Sequence, residues 1–286
     1  GQGSEFSFVL TYDIADEKEY TSVQKEEQVI PQVFKGKKIL IVEDNPLNQK
    51  LASTLLSGEG FVIEVAENGQ KAVDLLSAKT YDAILMDIQM PIMDGYQATK
   101  KIRRELALTT PIIAMTANAM AGEQEKCISI GMDDYITKPF KSESLLSLLF
   151  KHMNKGSDAI LTGANPLTDE KKVNRITDLA YLREFSGGKE DFVKEMIEVF
   201  LEQNPIDVKT LEDAISTDNY AQIKAITHTL QTSLGFVGFP AASLQELKLV
   251  ENMAGEQKNL DLIKEKLKDI ISKCRLAQAE LKEEIK

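Results

Sequence analysis

Four short apolar runs, each stopped by a polar residue, restrict what this chain can fold into. They are residues 38–42, 83–86, 111–115 and 134–137. Runs of this length and composition suit strands buried on both faces, as in a parallel sheet. The residues that stop them are Glu43-Asp44, Asp87, Thr116 and Lys138. In a parallel sheet all of these fall on one edge, the edge where open α/β folds bind their ligands. Three carboxylates gathered there repel one another unless a cation joins them, and oxygen-only ligands favour Mg²⁺. A lysine and a hydroxyl beside a metal-bound carboxylate suit a phosphoryl group. Each residue also has a plainer reading. Asp87 could punctuate a strand, and Glu43-Asp44 could complement a helix dipole. Thr116 could cap a helix near Ala119, and Lys138 could be solvated. It is their arrival at a common edge that outweighs those readings. Asn45-Pro46 needs only a structural role, as N-cap and first residue of a helix.

Five motifs occur in order: Val42-Glu43-Asp44-Asn45, Met86-Asp87-Ile88-Gln89-Met90-Pro91, Met93-Asp94-Gly95, Met115-Thr116-Ala117 and Tyr135-Ile136-Thr137-Lys138-Pro139. Together they resemble the receiver domain of two-component response regulators, over about residues 36–153. The resemblance implies a flavodoxin-like, doubly wound parallel sheet of five strands. It implies Asp87 as phosphoacceptor and Mg²⁺ held by Glu43, Asp44, Asp87 and the backbone carbonyl of Gln89. Thr116 and Lys138 would take the phosphoryl oxygens, and Tyr135 would be the switch aromatic. By the residues alone, Tyr135 is ordinary strand packing.

The remainder reads differently. Residues 1–14 have strand composition and resemble the last strand of a histidine kinase ATP-binding domain, with a cloning remnant as the competing reading. Residues 15–35 are a charged linker in which 20–29 could form a short helix. A second linker, 154–175, is broken by Gly156, Gly163 and Asn165-Pro166. From Ile176 onward apolar residues recur at helical spacing: Leu179, Leu182 and Phe185, then Phe192, Met196, Val199 and Phe200, then Val208, Leu211 and Ile215. Asp218 is expected to cap the next helix, Phe239-Pro240 to open another, and a last helix to run from about 259 to 284. Short connections predict an all-α bundle over 176–286.

Within this bundle Ile223, Ile226, Leu230, Leu234 and Val237 fall in an arc of roughly 80°, and His228 lies about 160° from its centre. His228 is therefore expected in solvent, where an imidazole is a competent nucleophile near neutral pH. Thr227-His228-Thr229-Leu230-Gln231-Thr232-Ser233 resembles the phosphoacceptor helix of histidine phosphotransfer domains. The resemblance implies His228 as a second phosphoacceptor. Two positions depart from it. Gln231 stands where that family commonly has lysine, removing a charge that would steady the phosphoryl group. Thr232 stands where it has glycine, adding bulk on the docking side. His152, at the end of a receiver helix, fits a cap or dipole role.

The formal net charge is -11 and no region is basic, which disfavours a nucleic-acid output and with it a transcription factor. Cys127 and Cys274 are too far apart for a CxxC motif, against a zinc site or disulfide framework and in keeping with a reducing cytosol. No apolar run approaches the roughly twenty residues of a membrane span. The chain is thus expected to be the C-terminal part of a hybrid sensor histidine kinase, cytoplasmic, with any inner-membrane anchor on the parent protein. Its partners would be the upstream kinase core of the same parent chain and a downstream response regulator. This piece lacks an ATP-binding core, so it would support only phosphotransfer and receiver dephosphorylation. The alternative is a receiver-gated binding module in which His228 carries no phosphoryl group.

Overall fold

The computed structural model describes residues 34–116, 121–153 and 175–286. The strand expected within residues 1–14, the helix within 20–29, a helix start near residue 119 and the second linker over 154–174 lie outside them. From Lys38 to Met153 strands and helices alternate: β1 (Lys38–Val42), α1 (Pro46–Gly58), β2 (Val62–Ala66), α2 (Gly69–Ala78), β3 (Ala83–Asp87), α3 (Gly95–Arg104), β4 (Ile112–Thr116), α4 (Ala121–Ile130), β5 (Asp134–Thr137) and α5 (Ser142–Met153). All strand pairs are parallel, in the order β2-β1-β3-β4-β5. Every residue of β3 and β4 is buried, as runs without polar alternation require.

The register brings the strand ends level. Val42 pairs with Met86, Asp87 with Met115, and Thr116 with Thr137. Glu43-Asp44, Asp87, Thr116 and Lys138 therefore share one edge, as their positions after the apolar runs predict. The neighbouring turns are built by specific residues. Asn45 Oδ1 accepts from the backbone N–H of Leu47 at 2.8 Å and of Asn48 at 3.3 Å, with Pro46 opening α1. Asp94 caps α3 by accepting from Gln97 N–H at 2.7 Å. Gly95 is required for space, since a Cβ there would lie 2.2 Å from the Asp87 carbonyl oxygen.

The second part is helical throughout: α6 (Ala180–Phe185), α7 (Glu190–Ser216), α8 (Tyr220–Phe236), α9 (Ala241–Gly255) and α10 (Leu260–Glu284). The apolar positions read from the sequence make its core, among them Met196, Phe200, Leu211, Leu230, Leu234, Leu247 and Val250. The cap of α8 is Asn219, which accepts from Gln222 N–H at 3.1 Å. Asp218, the residue expected there, instead adopts a left-handed backbone at φ 52°.

The bundle core also contains Leu47 and Leu51, which belong to α1 of the first part. Helix α1 packs on α7 and α8, so the two parts share apolar packing. Lys50 pairs with Glu195 at 2.5 Å, Lys141 with Glu184 at 3.6 Å, and the Tyr181 hydroxyl donates to the Phe140 carbonyl at 2.9 Å.

Candidate active site

Oxygens of Glu43, Asp44 and Asp87 lie within 4.8 Å of one another. Lys138 reaches them from the end of β5, its Nζ 2.6 Å from Glu43 Oε2 and 2.7 Å from Asp87 Oδ2. Glu43, Asp87, Thr116 and Lys138 are all buried, while Asp44 is partly open. Burial and the facing Asp87 push the Glu43 carboxyl well above the usual range, and the same two causes bring Asp44 up to about 6. Burial opposes the charge on Lys138, but Asp87 and Glu43 prevail and raise its pKa. Three carboxylates with one ammonium leave the cluster short of positive charge. An all-oxygen set this close fits a hard divalent cation, and Glu43, Asp44 and Asp87 are the side chains that would hold it.

Two expected participants stand slightly apart. The Gln89 N–H lies 3.4 Å from Asp87 Oδ1, just past the strand end. The Tyr135 hydroxyl donates to Gln124 Oε1 at 2.9 Å, which holds this aromatic against α4. The Lys138-Pro139 bond is cis. His152 pairs with Asp134 at 2.8 Å near the end of α5, consistent with a structural role.

His228 departs from expectation. Its position opposite the apolar arc predicts solvent, yet it is only 8% exposed. The arc itself is sound: Ile223, Leu230, Leu234 and Val237 lie in the apolar cluster and Ile226 packs against it. What covers the polar face is tertiary. Helix α8 is flanked by α7, α9 and the receiver helix α1, so Thr227, Thr232 and Ser233 are buried as well. Thr232, expected to be exposed, directs its hydroxyl to the His228 carbonyl at 3.4 Å. The His228 charge is felt at Asp44, which it acts to lower. The second histidine thus neighbours the acidic cluster of the receiver in the same chain.

Sequence reasoning missed Glu251. This carboxylate of α9 is buried, with Oε1 3.4 Å from His228 Nδ1 and Oε2 2.9 Å from Lys248 Nζ. Burial raises the Glu251 carboxyl, but His228 and then Lys248 overcome it and hold it down at about 2. A signal was present. Leu247, Val250, Glu251 and Ala254 are all buried along α9 at core spacing, so a glutamate interrupts an apolar stripe. The docking residues Leu47, Lys50 and Leu51 were also missed, since nothing in α1 alone distinguishes them from ordinary helix packing.

Residues 39–150 match the response regulator receiver domain, and residues 195–273 match the Hpt domain. The chain is 35% identical over 206 residues to the signal transduction histidine-protein kinase BarA of Escherichia coli (strain K12), covering 71% of this chain and 22% of that protein. It is 32% identical over 225 residues to the sensor protein GacS of Pseudomonas syringae pv. syringae, covering 73% and 24%. The chain therefore spans less than a quarter of the length of these relatives. The receiver domain of sensor histidine kinase PA1611 from Pseudomonas aeruginosa PAO1, solved with magnesium in its active site cleft, is 43% identical. That match covers 41% of this chain and 98% of that one, with a TM-score of 0.38. Among the described residues no helix is long and apolar enough to cross a membrane. Receiver motifs on a five-stranded parallel sheet, followed by a helical domain matching Hpt, assign the chain to the two-component phosphorelay family, with the receiver-to-phosphotransfer arrangement of hybrid sensor histidine kinases.

Proposed function

We propose that Asp87 accepts a phosphoryl group and passes it to His228, which donates it to a separate receiver. The observation that carries this reading is the packing of α8, which bears His228, against α1, the helix that directly follows Glu43-Asp44, within one chain. An Asp87 oxygen attacks phosphorus in line with the bond to the donor, and Lys138 and Thr116 hold the phosphoryl oxygens. Mg²⁺, held by Glu43, Asp44, Asp87 and the Gln89 carbonyl, would supply charge neutralisation at those oxygens. The hydroxyl of Thr116 at the end of β4 and the position of Tyr135 on the neighbouring β5 suit the two to act as the switch that reports loading. The upstream donor is the phosphohistidine of a kinase core in the parent protein, and the downstream acceptor is a response regulator; the setting is cytoplasmic. The domain limits that suit this reading are 36–153 and 176–286, joined by a linker.

A docking-only role for the bundle has no observation in its favour. The Hpt match runs through α8 and includes His228, Gln231 and Thr232. The test is incubation of the purified chain with acetyl phosphate and Mg²⁺, followed by phosphopeptide mapping. Label should appear on Asp87 as an acyl phosphate and then on His228. Asp87→Asn should abolish both, and His228→Gln should abolish only the second. Full label on His228 in the Asp87→Asn chain would refute the route.

A further inference from the structure

We propose that Tyr181 is a positioning residue for phosphotransfer: from α6 of the bundle its hydroxyl holds the β5–α5 loop of the receiver, and with it Lys138, in register with the helix that bears His228. This deepens the phosphotransfer reading and rests on it.

Helix α6 is built as a bracket. Leu179 and Leu182 turn into the bundle core. The chain around them is fastened to the end of α10. Glu280 accepts from the Ile176 and Thr177 N–H groups at 2.9 and 3.0 Å and from the Thr177 hydroxyl at 2.8 Å. Glu284 pairs with Arg183 at 2.9 Å. Just past α8, the Val237 carbonyl accepts from the Asp178 N–H at 2.8 Å. Gly238 permits that approach, since a Cβ there would lie 2.1 Å from the Asp178 carbonyl oxygen. Tyr181 and Glu184, three residues apart on one helix face, are left to meet the receiver at the Phe140 carbonyl and at Lys141. Residues 180–185 lie outside both stretches that match a family model, 39–150 and 195–273.

Tyr181 connects the two reacting halves. Its ring stacks on Phe236, centroids 5.7 Å apart and planes inclined by 21°, and Phe236 is the last residue of α8. Its hydroxyl donates at 2.9 Å to the carbonyl of Phe140, two residues past Lys138. The receiver fixes the start of the same loop, the Lys138 N–H donating to the Thr116 carbonyl at 2.7 Å. Burial, and then Glu184, push the Tyr181 phenol well above the ordinary tyrosine range, so it remains a donor. The Lys138 ammonium lies 2.7 Å from Asp87. In transfer a His228 nitrogen forms the N–P bond as the P–O bond to Asp87 breaks. The ring keeps its proton, and the electron pair returns to the Asp87 carboxylate. Lys138 is the cation that meets this developing charge, and that stabilisation depends on a placement fixed before the reaction. What Tyr181 fixes is Lys138 relative to α8. Loading from a small free phosphodonor makes no use of that alignment; transfer to His228 does.

The test uses the full chain. Tyr181→Phe keeps the ring and its stacking and removes only the hydroxyl. It should load Asp87 from acetyl phosphate and Mg²⁺ at the wild-type rate. It should pass the phosphoryl group to His228 about five- to tenfold more slowly, the range of one neutral hydrogen bond. Glu184→Gln, which removes an exposed pair, should change transfer by less than about twofold. Circular dichroism and Asp87 loading check that each variant is folded. Phe-Lys peptide bonds occur only at 34–35, 140–141 and 150–151, so ¹³C-carbonyl phenylalanine with ¹⁵N-lysine isolates the Phe140 carbonyl in NMR. Its ¹³C signal should move upfield in Tyr181→Phe as the hydrogen bond is lost. The same sample reads the Lys138 ammonium nitrogen, assigned by its loss in Lys138→Met. With beryllofluoride and Mg²⁺ on Asp87, that signal should also differ between Tyr181→Phe and wild type, whereas a contact that merely packs two domains together would leave it in place. An unmoved Lys138 signal would overturn the proposal, as would transfer at the wild-type rate in Tyr181→Phe. Equal slowing of loading and transfer would assign the hydroxyl to the receiver alone and overturn it too. If wild-type His228 never carries label while Asp87 does, the phosphotransfer reading itself fails and the positioning role falls with it, the Phe140 signal then recording a contact between domains and nothing more.

Discussion

A residue's environment here decides its chemistry more than its type does. Glu43 and Asp44 are pushed up by burial and by Asp87, whereas Glu251, also buried, is held down because two basic partners face it. The difference has a pH signature. The Glu251 carboxyl sits at about 2 in the folded chain against an ordinary 4.5. A depressed carboxylate contributes stability that is fully present above its unfolded pKa and lost as pH falls through the folded one. That contribution is about 3 kcal/mol at one pKa unit per 1.36 kcal/mol, and it disappears between about pH 4.5 and pH 2. Urea denaturation at several pH values across that window should therefore find Glu251→Gln less stable than wild type at pH 5, with the two converging at pH 2. Equal stabilities at pH 5 would mean that the His228 and Lys248 pairings are not formed.

At the scale of elements, helix α7 carries a polar cluster inside the bundle. Pro205 interrupts its hydrogen-bond ladder, and the flanking Asn204 and Asp207 point inward and are buried. Asn204 Oδ1 accepts from Gln278 of α10 at 2.8 Å, and Asp207 Oδ1 accepts from Gln203 at 2.7 Å. Asn204 Nδ2 and Asp207 Oδ2 have no hydrogen-bond partner among the described residues. Burial pushes Asp207 up to about 6 and the adjoining Cys274 thiol up to about 12. A raised carboxyl works in the opposite sense to Glu251: its stability is present below the unfolded pKa and lost as pH rises through the folded value. Between about pH 4 and pH 7 the bundle should weaken through this group. Asp207→Asn should flatten that slope and leave the chain about 1–2 kcal/mol more stable at pH 8, the charge cost being removed while an uncharged donor remains unpaired. Chemical denaturation at pH 5 and pH 8 measures it; an undiminished slope in the variant would assign it to another group.

For the whole molecule, the decisive feature is the joint between receiver and bundle. Leu47 and Leu51 enter the bundle core. Burying a leucine contributes about 1.5–3 kcal/mol, part of it within the receiver itself. The Lys50–Glu195 pair is roughly 40% exposed on both sides, so it adds at most about 1 kcal/mol and serves register more than strength. Two sites in one docked chain meet without diffusing together. Transfer from Asp87 to His228 should accordingly be first order, with a rate independent of chain concentration. Leu51→Asp should lower it more than tenfold, because a carboxylate in that apolar contact is unpaired, while acetyl phosphate still loads Asp87. A rate proportional to chain concentration in wild type would show that transfer runs between molecules instead.

What the sequence determined by itself is local or periodic. The five strand-end positions follow from apolar runs of fixed length, because a parallel sheet aligns the ends of its strands whatever surrounds them. The cap at Asn45, the turn at Asp94-Gly95 and the limits of the last helix follow from backbone hydrogen bonding within a few residues. The arc on α8 likewise separates His228 correctly from the bundle core. What only the tertiary structure decided is which neighbours cover a polar face. No pattern within residues 220–236 encodes that α1, from a different domain, lies across them, or that Glu251 reaches His228 from the next helix. Helical periodicity reports which side of a helix meets its own core. It carries no information about a second partner, whose apolar contribution is two leucines that look like ordinary receiver packing in their own helix.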